Sequence, residues 1–162
     1  MRMDIHTTLA KLTRHLIFKE WHEKNKEYYL AHAFVMLDEA NKNCVQVGFY
    51  NSEKERMVTF FVSDDVQKTD EQEVLKSEGT IQPLKPEEVK LTIEEALQIA
   101  EKCFKEYKEI AIKHFFIIQN TEGHTMFNIT YFTQSLKTVN IKIDANSGKI
   151  IKHSVQNLAQ FS

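Results

Sequence analysis

VNIKIDANSGKI (139–150) decides how the rest of the chain is read. Its first half alternates apolar and polar residues, the period of a strand with one buried face. Its second half, Asp-Ala-Asn-Ser-Gly-Lys, sets oxygen-bearing side chains two residues apart, as a cation loop does. Helix-loop-helix calcium sites place ligands at positions 1, 3, 5, 7, 9 and 12, with glycine at 6. Counted from Asp144, the glycine position holds Lys149 and the bidentate-acid position holds Val155. A strand also leads in where a helix is needed. The stretch therefore reads as a strand, a turn closed by Asp144 and Asn146 on local backbone, and a return strand after Gly148.

Working outward, LTIEEALQIAEKCFKEYKEI (91–110) precedes it. Ile93, Ala96, Leu97, Ala100, Cys103, Phe104 and Tyr107 fall at helical intervals and make one apolar stripe. Thr92 with Glu95 three residues on predicts a capping box. A second helix is expected from Asp4, its N-cap, to about Lys24, with Ile5, Leu9, Leu12 and Leu16 on one face. Each helix is followed by strand-like runs: YYLAHAFVML, CVQVGFY and RMVTFFVS, then HFFIIQ, TMFNITYF and TVNIKI, with a short final strand. The short polar connections suit antiparallel hairpins.

The order, a helix and three strands given twice, looks like an internal repeat. Phe34 set against Phe116 brings Cys44-Val45-Gln46-Val47 over Met126-Phe127-Asn128-Ile129. After a one-residue gap, residues 58–65 lie over 139–146. The expected fold is α+β: two helix-plus-antiparallel-meander units, at 1–65 and 91–162, joined by a linker at 66–90. From Ser63 to Lys90 the chain carries eight acidic residues against four lysines and both of its prolines, which reads as solvated.

Composition limits function. At 162 residues the chain is long enough to bury roughly 70% of its unfolded surface. A formal charge of −2, with 18 lysines and three arginines, argues against nucleic acid, which calls for a concentrated basic surface. No segment reaches the roughly 20 apolar residues of a membrane span. Read as a whole natural protein, the chain belongs in the cytoplasm; with an export signal ahead of residue 1, it belongs outside. Cys44 and Cys103 read as buried thiols, although one disulfide is arithmetically allowed. His15 and His22 stand two helical turns apart, farther than the one-turn pairing that suits a zinc. The other histidines read as surface or locally bonded. Nucleophile elbows and phosphate loops are absent, and adjacent acids such as Asp64-Asp65 read as solvated charges. No metal, cofactor or catalytic residue is expected.

The second half resembles the PepSY family, whose members open on a helix near "(I/L)(S/T)xEEA" and close on "VDAxTGxV". Leu91-Thr92-Ile93-Glu94-Glu95-Ala96 and Ile143-Asp144-Ala145-Asn146-Ser147-Gly148-Lys149-Ile150 stand in those places. The resemblance spans about 91–155, and the first unit would be a diverged copy that ends in SDDVQK. It implies a PepSY-like or cystatin-like helix on a meander and a non-catalytic module that inhibits or chaperones a hydrolase. The expected partner is a protein, with a homodimer as the second class. A small apolar ligand carrier is the alternative, and an enzyme with an unrecognised site the third.

The repeat also marks a surface. In the second unit Val139, Ile141 and Ile143 should face inward, leaving Lys142 outward. The same alternation leaves Phe61 outward where its counterpart is that lysine. Tyr50, Met57 and Phe61 are therefore the candidate binding residues, on a face covered either by the other unit or by a partner.

Overall fold

The structure, a computed structural model, describes residues 4–74 and 81–158. The middle of the expected linker lies outside the described residues. Thirteen elements follow one another among those described: α1 (Ile5–Arg14), α2 (Leu16–Lys24), β1 (Tyr29–Met36), β2 (Val45–Asn51), β3 (Arg56–Val62), β4 (Val66–Lys68), β5 (Gln72–Glu73), a 3-10 turn (Pro86–Glu88), α3 (Ile93–Lys105), β6 (Ala111–Thr121), β7 (His124–Thr133), β8 (Lys137–Asp144) and β9 (Ile150–Asn157). The fold is α+β. One antiparallel sheet runs in the order β4-β3-β2-β1-β6-β7-β8-β9, with β5 also paired to β3.

All three helices pack on one face of that sheet. Period-two alternation sends Val45, Val47, Val58, Phe60 and Val62 to this face in the first half. Phe116, Ile118, Phe127, Ile129, Val139, Ile141 and Ile143 follow suit in the second, and both sets join one core. Each fully buried side chain of this kind contributes about 1.5–3 kcal/mol. The core also takes in Val66, Leu84 and Val89 from the connecting segment, beyond what its acidic composition conveys.

The two halves meet where β1 pairs with β6, His32 to Gln119 through Met36 to Phe115. This register places Val35 opposite Phe116 on the core side and Phe34 opposite Ile117 on the other. Phe34 and Phe116, matched in the sequence comparison, thus face opposite ways, because a one-residue slip turns a side chain over. A shift between Leu30 and His32 also interrupts the β1–β2 ladder.

The expected first helix is two. His15 is extended (φ −76°, ψ 139°), its N–H bonds the Leu12 carbonyl, and its ring accepts from Ile17 N at 3.2 Å, so it ends α1 and caps α2. The break turns the apolar stripe: Ile5 and Leu12 stay buried, whereas Leu16, expected on the same face, is 65% exposed. Phe18 takes over, with Trp21, Phe49 and Phe60 clustered around it at centroid distances of 5.3–6.0 Å. The caps follow expectation: Asp4 accepts from His6 N, and Thr92 and Glu95 form the reciprocal box.

Candidate functional site

The turn after β8 is built as the sequence indicates. The Asp144 carboxylate accepts from Asn146 N at 2.9 Å and Ser147 N at 2.8 Å. These bonds, that from Ser147 foremost, hold its carboxyl below the usual range, with His124 nearby adding to the effect. Gly148 sits at φ +80°, a conformation that costs a β-carbon. Such a carbon would also lie 3.2 Å from the Ile99 side chain of α3. Asn146 contributes its backbone N–H to the turn. Ala145, fully buried, accepts from both Lys90 N and Leu91 N (2.9 and 3.0 Å) and donates to Thr125 O. The turn therefore fastens the end of β8 to the entry of α3. Asp144 is a structural acceptor, and no group of His, Cys, Asp and Glu able to hold a metal occurs among the described residues.

Beyond this turn β9 forms one edge of the sheet. It is eight residues long and largely exposed, where the sequence indicates only a short strand. Its register with β8 is regular from Lys137–Asn157 to Lys142–Lys152, then shifts beside Ile151. Because α3 lies over β7 and β8, the helix side of β9 is covered only in part, and Ile150, Ile151 and Val155 are 40–44% exposed. A groove of about 480 Å3 follows the outer flank of α3, with Leu91 and Ile99 among its walls and Glu95, Gln98 and Lys102 beside them. The Tyr107 hydroxyl and His153 Nδ1, 2.5 Å apart, tie the end of α3 to the middle of β9.

The opposite edge is short: β4 has three residues and β5 two. Short, interrupted edges are how sheets avoid unwanted pairing, whereas a long exposed edge leaves backbone donors and acceptors available.

The face away from the helices carries the candidate residues. Tyr50 pairs with Met57, and Phe61 lies four residues further along β3, so all three point to this side. Phe61 and Met57 are half-buried, but Tyr50 is only 1% exposed, with Tyr29 edge-on to it at 5.8 Å. Tyr50 is thus floor rather than surface. One row crosses the whole sheet: Gln67, Phe61, Gln46, Phe34, Ile117, Asn128, Lys142 and Lys152. As far as Ile117 it is apolar with glutamines, and beyond that it is polar and ends on two lysines. Neighbouring rows add Phe115, 5.3 Å from Phe34 and 6.0 Å from Phe132. The sequence reading found Phe61 but missed Phe34, Phe115 and Lys152, since their common face depends on the β1–β6 and β8–β9 registers.

Titratable groups shifted by burial are scattered. The Tyr131 hydroxyl is pushed up to about 12 by burial, stacked between Phe104 at 4.1 Å and His114 at 5.2 Å. Burial lowers His32 and His114, and raises the free thiols Cys44 and Cys103. Tyr131 and His114 stack without a bond between them, which serves packing more readily than proton transfer.

The chain matches, over residues 90–153, the family model described as "Peptidase propeptide and YPEB domain". In fold it is similar to the crystal structure of a putative lipoprotein from Clostridium difficile 630. The two share 15% identity at a TM-score of 0.58, over 86% of this chain and 90% of that one. Curated proteins provide no match. No helix among the described residues is long and apolar enough to cross a membrane. The stretch that matches this family model, residues 90–153, holds the capped helix α3, the meander on which it lies and the Asp144–Gly148 turn that fastens them together.

Proposed function

We propose that this protein is a non-catalytic module that binds another protein along β9, and that the partner is a peptidase or other hydrolase whose activity it regulates. The observation that carries the reading is the contrast between the sheet's two edges: β9 runs eight residues and is exposed at all but Ser154, whereas β4 and β5 run three and two. An extended segment adding to such an edge gains backbone hydrogen bonds, and alternate side chains then select it. The propeptide association of the family supports a peptidase as the class of partner. The lipoprotein neighbour supports a site of action outside the cytoplasm.

The test is a photo-crosslinking residue placed at Gln156 on β9 or at Gln67 on β4. A defined protein adduct from Gln156 and none from Gln67 is expected, with the captured peptidase slowed while the chain is bound. Equal labelling from both edges, or a peptidase indifferent to the chain, overturns the reading.

A second surface has its own support. Among the described residues helices cover only one face of the sheet, and the other carries Phe34, Phe61 and Phe115 half-buried, beside Met57 and above Tyr50. A second copy or a partner seated there would bury them. Phe61→Asp is expected to leave the monomer folded while weakening association, measured by sedimentation. If the variant unfolds instead, Phe61 belongs to packing within the chain.

A further inference from the structure

The side chains flanking β9 on its two sides specify the kind of segment that fits there. On the open face β9 presents Lys152, Ser154 and Gln156, and Lys152 lies directly across from Lys142 of β8. Like charges directly opposite on one sheet face repel each other. Neither lysine is within ion-pair distance of an acid among the described residues. The remaining ionisable side chains on this face of β6 to β8 are Lys113, His124 and Asp144; Asp144 is engaged in its turn, and His124 lies 3.9 Å from it.

A groove of about 360 Å3 opens over the lysine pair, lined by Thr130, Asn140, Lys142, Lys152 and Ser154. Its floor is set by the Asn140 amide, which donates to Asn128 Oδ1 at 2.5 Å and Thr130 Oγ1 at 3.1 Å. On the helix side the same strand offers the opposite chemistry. Val155, register partner of the fully buried Val139, is 44% exposed, and Ile151 is 42% exposed. A strand beyond β9 would therefore meet unneutralised cations on one side and, on the other, exposed Ile151 and Val155 flanking the Tyr107-bonded His153.

We propose that the β9 edge takes an amphipathic extended segment of a partner protein. Aspartate or glutamate faces Lys142 and Lys152, and aliphatic residues alternate with them to cover Val155 and Ile151. This rests on the edge-addition reading above and narrows it to a charge pattern. A second copy of the chain fits poorly, because its own β9 would bring another Lys152 to the pair and no acid.

The test uses the full chain with three soluble ten-residue peptides in which valine alternates with glutamate, lysine or serine. Binding is read by fluorescence anisotropy, and its location by amide exchange. The glutamate peptide is expected to bind best, to slow exchange along β9, and to weaken as salt rises. Lys142→Glu with Lys152→Glu should weaken it about tenfold and transfer preference to the lysine peptide, leaving the serine peptide unchanged. Circular dichroism checks that this variant is folded. Equal binding of all three peptides overturns the acidic pattern and leaves edge addition standing. Binding of none, or binding without protection of β9, overturns both. A dimer of the chain protected along β9 makes a second copy the occupant and also overturns the proposal.

Discussion

Gly148 and Asp144 divide the work of a single turn. Asp144 supplies acceptors for two N–H groups that the chain reversal leaves without ladder partners, and Gly148 supplies the left-handed backbone that lets β9 return. Gly148→Ala should cost about 1–2 kcal/mol from the positive φ alone, with further loss if Ile99 cannot move from its 3.2 Å approach. Urea denaturation checks this, and the cost should shrink when Ile99→Ala is added. His32 makes a second residue-scale case. Its ring lies over Gly48, where a β-carbon would come within 2.4 Å of it, so glycine is the residue this packing admits. Burial holds the His32 imidazole below its ordinary 6.5, so the folded chain takes up this proton less readily than the unfolded chain. The contribution of His32 is therefore complete above pH 6.5 and is lost as pH falls below it. His32→Phe should flatten the decline in stability between neutral and mildly acidic pH. His114, shifted the same way by burial, should keep the slope from vanishing.

Elements were legible in the sequence where their signals are local. α3 announces itself through its stripe and through Thr92 and Glu95, which lie within one turn of each other, and the Asp144 turn lies within six residues. The break at His15 was not legible, because both sides of it carry apolar residues at helical spacing. Only packing against β3 and β4 decides which of them are buried. The length of β9 was obscured for a related reason: as an uncovered edge it need not alternate, and Ile150-Ile151-Lys152-His153 does not. Nor does a single strand reveal its partner's register, so Lys142 and Lys152 remained separate charges until β8 and β9 were paired. The cap of α3 reaches beyond its own helix, since Lys90 and Leu91, just ahead of it, hold the Ala145 carbonyl. Thr92→Ala should cost about 1 kcal/mol. It should also raise amide exchange at Ala145 and Ser147 more than at the far end of α3, an asymmetry that loss of helix propensity alone would not produce.

At the scale of the molecule, the halves share both a sheet and a core. Ala33 and Val35 of β1 abut Ile118 and Phe116 of β6 without a boundary. Thermal unfolding is expected to be one transition. Trp21 fluorescence, reporting the first half, and the methyl resonances of Ile129 and Ile141, reporting the second, should give coincident midpoints. Two separated midpoints would make the halves independent domains. The seam between β1 and β6 has a further consequence. Within each half, neighbouring strands are joined by short connections and can zip up as soon as a hairpin forms. The seam instead joins residues roughly 80 apart in the chain, and their ends must find each other before any ladder bond rewards the search. The slowest event on the way to the native state should therefore be the meeting of two preformed meanders. Until it occurs, β1 leaves Phe34 and Val35, and β6 leaves Phe115, Phe116, Ile117 and Ile118, on open flanks, so the nascent chain is most prone to stick to its neighbours in that interval.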